Sequence, residues 1–89
     1  MKKFFKNKTI IVTGHTGFKG SWLSLVLINL GARVIGISNK IPTKPSFFEI
    51  LKLQKKIIDL REDIRDLKKI KIIFKKYKPN YVFHLAAQS

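Results

Sequence analysis

The stretch Thr9-Ile10-Ile11-Val12-Thr13-Gly14-His15-Thr16-Gly17-Phe18-Lys19-Gly20 decides the fold. Its first five residues are β-branched throughout and are cut off by a glycine. A short run that is apolar on both faces suits a central strand of a parallel sheet. Glycines then recur every third residue, at Gly14, Gly17 and Gly20. The segment behind them, Phe18 to Leu30, reads as a helix held against a sheet. Its apolar residues Trp22, Leu23, Leu25, Val26, Leu27, Ile28 and Leu30 cover more than one stripe. Trp22 is expected in the core. A strand that runs through a glycine loop into a helix makes an anion site, because the N–H groups of the first turn point outward and the helix dipole favours negative charge.

Outward from this stretch the pattern repeats. Gly31 stops the first long helix, since it accepts a left-handed backbone without a Cβ clash. Arg33 to Ser38 reads as a second strand. Pro42 and Pro45 keep the next segment irregular. Ser46 with Glu49 fits a capping box opening a short helix to about Leu53. Ile57-Ile58-Asp59 reads as a third strand. Leu67 to Tyr77 reads as an amphipathic helix capped by Asp66, with Leu67, Ile70, Ile73, Phe74 and Tyr77 inward. Tyr81 to Leu85 reads as a fourth strand. The order β-α-β-α-β-α-β predicts an α/β fold, the N-terminal half of a Rossmann-type doubly wound parallel sheet of about four strands. Residues 1–89 are expected to be a partial NAD(P)-binding domain, without the C-terminal half and a substrate domain.

Composition narrows the function. At 89 residues the chain has room for one small domain. It has no cysteine, which excludes disulfides and thiolate metal sites. No apolar run approaches the ~20 residues of a membrane span, and the basic start lacks a signal-peptide core; the expected location is cytoplasmic. Lys and Arg number 19 against 5 acidic residues, a net charge of +14. That balance raises a small nucleic-acid-binding module as the competing class. The lysines are scattered, however, Arg33, Arg61 and Arg65 are the only arginines, and base-stacking strand motifs are absent. The expectation is no nucleic acid and no membrane. Phe4 and Phe5 are expected to lie in a frayed basic terminus.

The loop assigns candidate roles. Gly14 allows the tight turn, Gly17 lets a diphosphate approach the backbone, and Gly20 lets the helix pack closely. Thr16, Phe18 and Lys19 complete the expected cradle. An acidic residue that would bind the adenosine ribose is missing from the end of the second strand; Ser38 and Asn39 stand there, followed by Lys40. The residues alone therefore leave NAD against NADP open. His15 is expected as a loop residue near the cofactor and His84 as a packed one. The two histidines sit on or next to strands expected to be neighbours, so they could approach each other; a metal site would need more ligands than the sequence offers. Asp59 is expected to cap the short third strand, with a place near the adenine as the alternative.

With "TGHTGFKGSWLSLVL", "GARVIGIS", "PTKPSFFE", "DIRD" and "VFHLAAQ" in hand, the chain resembles the extended short-chain dehydrogenase/reductase family. Within it, the chain is similar to the branch of CDP-glucose 4,6-dehydratases, with the GDP-mannose dehydratases and other sugar-nucleotide dehydratases and epimerases as the alternative. The resemblance implies NAD as cofactor. It implies that Asp63 and Ile64 contact the adenine ring, and that Leu85, Ala86, Ala87 and Gln88 run along the nicotinamide-side ribose. It implies a lyase acting on a nucleotide-sugar substrate, as a homo-oligomer when full-length. The family's Tyr-x-x-x-Lys pair is not in these 89 residues: neither Tyr77 nor Tyr81 has a lysine four positions on. No catalytic residue is therefore expected here, and the chain alone is expected to be inactive.

Overall fold

The computed structural model of the chain describes residues 2–39 and 46–85. Four strands, β1 (Thr9–Thr13), β2 (Arg33–Ile37), β3 (Ile58–Leu60) and β4 (Tyr81–His84), form one all-parallel sheet in the order β3-β2-β1-β4. Ile11 sits opposite Ile35 on one side and Val82 on the other. The helices are α1 (Lys2–Phe5), α2 (Phe18–Asn29), α3 (Phe47–Ile50) and α4 (Leu67–Tyr77), with a 3-10 turn at Leu53–Lys55.

The two-residue period of β1 and β2 divides the core between the two faces of the sheet. Ile10, Val12 and Val34 face one way and pack with Leu27, Leu23 and Ile28 of α2. Ile11, Ile35 and Ile37 face the other way and pack with Ile73, Ile70 and Tyr77 of α4. Ile10, Ile11, Val12, Ile35 and Ile37 are fully buried, each stabilising the fold by about 1.5–3 kcal/mol. Asn80 ties the start of β4 to β1. Its side-chain oxygen accepts the Thr9 N–H at 2.9 Å, and its own N–H donates to the Thr9 carbonyl at 2.7 Å.

Three expectations need correction. The N-terminal segment is helical rather than frayed: Phe5 packs on the core, Phe4 lies 5.5 Å from the Tyr81 ring, and the Asn7 N–H donates to the Gly31 carbonyl. Trp22 is not a core residue; it is 55% exposed and its ring lies 5.9 Å from that of Phe47, which Phe18 also approaches at 5.3 Å. The buried positions of α2 are instead Gly20, Ser21, Ser24 and Leu27, of which Leu27, with Leu23 and Ile28, packs on the sheet. In α4, Leu67 is exposed and Phe74 lies at the rim, because Ile70, Ile73 and Tyr77 suffice to cover the sheet.

Candidate functional site

The glycine loop leaves β1 at the carboxyl edge of the sheet. Gly14 has φ of 78°, a left-handed conformation that favours glycine. Its N–H donates to the Ile37 carbonyl at 2.9 Å, which holds the loop on β2. At Gly20 an added Cβ would collide with the Gly14 carbonyl and the His15 backbone, so the helix approaches the loop only because residue 20 has no side chain. Gly17 differs. Its φ is −78° and a Cβ there would meet only the Gly14 oxygen at 3.6 Å, an ordinary contact. The protein's own packing leaves space for a side chain at Gly17; the bare backbone there is open to a ligand.

Gly17 is also the residue preceding the first turn of α2. No side chain caps that turn, and no acidic residue lies in it. The first N–H groups of an α-helix have no partners within the helix. Gly17, Phe18 and Lys19 are all exposed. The Gly17 N–H is taken by the Gly14 carbonyl at 3.2 Å, so this end of α2 faces solvent with the donors of Phe18 and Lys19 and with a lysine. That donor set fits a diphosphate.

The other expected residues divide. Thr16 and Ser38 come together: both are buried, and their hydroxyl oxygens lie 3.0 Å apart, linking the loop to the end of β2. Asn39 follows, exposed. Asp63 stands at the same edge after β3, and its carboxylate holds Arg65 through Nε and Nη2 and accepts the Arg65 backbone N–H. These contacts hold Asp63 at a pKa of about 2. Ile64 beside it packs against the sheet's second core cluster. Leu85 is 39% exposed, and its N–H donates to both the carbonyl and Oγ1 of Thr13. Lys40, Ala86, Ala87 and Gln88 lie outside the described residues.

The histidines part company rather than meet. β1 and β4 are neighbours, as expected, and His84 Nδ1 pairs with Thr13 Oγ1 at 2.7 Å. His15 turns the other way, across β2, and its Nε2 reaches Asp59 Oδ1 on β3 at 2.5 Å. Its ring is fully buried. Burial pushes the His15 pKa down, and the Asp59 carboxylate only partly offsets this, so the ring is held neutral more strongly than a free histidine. Burial raises the Asp59 pKa, but hydrogen bonds from Arg61 and His15 outweigh it and keep the carboxyl ionised. The Asp59 carboxylate is thus held between His15 and Arg61. The part played by Gly36 was not anticipated: a Cβ there would strike the His15 ring. A glycine inside a strand run is the signal that pointed to it. Among the described residues no group of three or more His, Cys, Asp or Glu could hold a metal ion, and no helix is long and apolar enough to cross a membrane.

A strand, glycine loop and uncapped helix at the carboxyl edge of a parallel sheet define the dinucleotide-binding class of α/β proteins. Within that class, the chain belongs to the GDP-mannose 4,6 dehydratase family, whose model matches residues 11–89. It is similar to the CDP-glucose 4,6-dehydratase of Salmonella typhimurium, with 49% identity over 98% of this chain and 24% of that one. Among solved structures it is similar to the UDP-glucose 4-epimerase of Thermotoga maritima, determined with UDP-glucose. There the identity is 36% and the TM-score 0.76, over 91% of this chain and 25% of the other. The Bordetella bronchiseptica enzyme WbmH, determined with NAD⁺, is 27% identical with a TM-score of 0.75, over 92% of this chain and 26% of the other. The chain spans about a quarter of the length of the curated relatives it matches.

Proposed function

We propose that this chain is the NAD-binding portion of a sugar-nucleotide 4,6-dehydratase, with CDP-glucose as the substrate of the full-length enzyme. The observation that carries the reading is the open first turn of α2 behind a residue, Gly17, that the fold does not require to be glycine. In this reading the amides of Phe18 and Lys19, with that of Gly17 shared with the Gly14 carbonyl, bind the diphosphate, and the Lys19 ammonium adds charge. Gly14, Thr16 and Gly20 shape the loop that presents those amides. Ser38 and Asn39 face the adenosine ribose by hydroxyl and amide rather than by carboxylate. Asp63 accepts the exocyclic amine of adenine while Ile64 packs on the ring. Leu85, Ala86, Ala87 and Gln88 border the nicotinamide-side ribose, where the small alanines let the cofactor lie against the backbone.

When bound, NAD supplies the hydride acceptor and donor that a 4,6-dehydratase needs for oxidation at C4 and reduction at C6. What these residues contribute is binding and orientation. No tyrosine in the sequence has a lysine four positions on, so these 89 residues are expected to bind without turnover. A GDP-mannose 4,6-dehydratase is the alternative within the same family, supported by the family match.

Isothermal titration of the chain with NAD and NADP tests the reading. Saturable one-to-one binding that prefers NAD supports it. Absence of binding to NAD at millimolar concentration would falsify it.

A further inference from the structure

His15 is the second residue of the glycine loop, yet its side chain faces away from the open end of α2. It lies across β2 over Gly36, the only kind of residue that leaves room for it, and reaches Asp59 on the far strand. Arg61 grips Asp59 through Nε at 2.8 Å and Nη2 at 3.1 Å. The Arg61 guanidinium stands 5.5 Å above the Phe48 ring, and Phe48 in turn meets the His15 ring edge-on at 5.4 Å. Four side chains from the loop, β3, the segment after it and α3 thus close on one another.

The main chain of the same residue is held as well. Ser21 Oγ donates to the His15 carbonyl at 2.8 Å from the first turns of α2. A loop that binds anions through its backbone does not need a buried imidazole. Burying one is costly, and here Nδ1 makes no well-formed hydrogen bond among the described residues, the Ile37 backbone offering only a weak one. What the arrangement achieves is a fixed position for the residue between Gly14 and Thr16.

We propose that His15, anchored by Asp59 across Gly36, is a positioning residue that sets the loop against the sheet and thereby aims the Gly17–Lys19 amides at a diphosphate. This rests on the dinucleotide reading above. His15 and Asp59 touch no ligand in this role. Asp59 acts on the loop through the imidazole while Arg61 steadies its carboxylate, and the asparagine side chain retains the oxygen that accepts from Nε2–H.

The test compares Asp59→Ala and Asp59→Asn with the unaltered chain, using ADP and adenosine as probes in NMR titrations. Asp59→Ala is expected to weaken ADP about tenfold, the loss of one hydrogen bond to a charged group, and to leave adenosine unchanged. Asp59→Asn is expected to restore ADP binding to within about threefold of the unaltered chain. Unchanged ADP affinity in Asp59→Ala overturns the proposal. So does a parallel loss of ADP and adenosine, which would signal general loosening. If the unaltered chain binds neither probe, the dinucleotide reading fails, and the anchor is read from amide exchange alone. The Gly14 and Gly17 amides, bonded to the Ile37 and Gly14 carbonyls, then lose protection in Asp59→Ala if His15 positions the loop. Protection that survives the substitution overturns that role too.

Discussion

Helices α2 and α4 both begin at the carboxyl edge of the sheet, α2 after β1 and α4 after β3, and their first turns are built in opposite ways. α4 closes on itself. The Asp66 carboxylate accepts the Lys69 N–H at 3.3 Å, and Glu62 pairs with the Lys69 ammonium at 3.1 Å. One of its first-turn donors is satisfied and its positive end is neutralised from within. α2 starts at a glycine with no side-chain cap and no acidic residue. The same strand–loop–helix grammar yields one end that stabilises the fold and one that is left for an anion. A glycine at this N-cap forgoes a few tenths of a kcal/mol that an aspartate would contribute, and that loss makes sense where a ligand completes the turn.

The comparison can be broken most severely at Gly20. Its counterpart three residues into α4's capped end is Lys69. Gly20→Ala drives a Cβ into the Gly14 carbonyl and the His15 backbone, so stability in urea should fall by about 3 kcal/mol, the upper range for overpacking. Lys69→Ala, on an exposed side chain, should cost no more than about 0.5 kcal/mol.

Exchanging the caps gives the next largest effect, with opposite signs. Gly17→Asp should raise stability by a few tenths of a kcal/mol while weakening ADP at least about tenfold, because a carboxylate then occupies the anion's place. Asp66→Ala should lower stability by about 1 kcal/mol and leave ADP affinity unchanged. Loss of ADP binding in both variants would mean that the two ends are not functionally distinct.

Acid sharpens the comparison through the buried imidazole at the open end. His15 is held below its usual pKa by burial. The unfolded chain therefore takes up that proton at higher pH than the folded one. Stability from this group is complete above the unfolded value of about 6.5 and is lost as pH falls through the lower folded value. The charged groups facing the ring are Asp59, which opposes the shift, and Arg61, which adds to it; the Ile37 backbone also opposes it. Thermal melts between pH 7.5 and 5 should show a decline that is absent in His15→Gln; an identical decline in both would place its origin elsewhere.

The smallest effect belongs to single lysines. Lys19→Ala should weaken ADP about threefold, an effect that fades in ~0.5 M salt as the charge is screened. Lys68→Ala beside the capped end should do nothing. Equal losses would point to the overall charge of +14 rather than to the site.

Much of this was legible in the chain. β-branched runs bounded by glycine marked β1 and β2, and Ser46 and Asp66 marked the starts of α3 and α4. Both side chains accept the expected backbone N–H, from Glu49 and Lys69. Trp22 and Leu67 were misplaced because an apolar residue in a helix shows its spacing but not which stripe the sheet will choose. In α2 the buried stripe runs through Leu27 and the small residues Gly20, Ser21 and Ser24, whose serine hydroxyls donate to the carbonyls of His15 and Gly20. The link from His15 to Asp59 was hidden for another reason. Its partners are 44 positions apart, and it exists only because strand order places Gly36 between them.

The most direct test of an open end against a closed one is a titration of the ¹⁵N-labelled chain with ADP, read at the backbone amides. The account predicts large, saturable shifts at Gly17, Phe18 and Lys19 and none at Leu67, Lys68 and Lys69. Shifts of equal size at both helix ends, or none at α2, would contradict it.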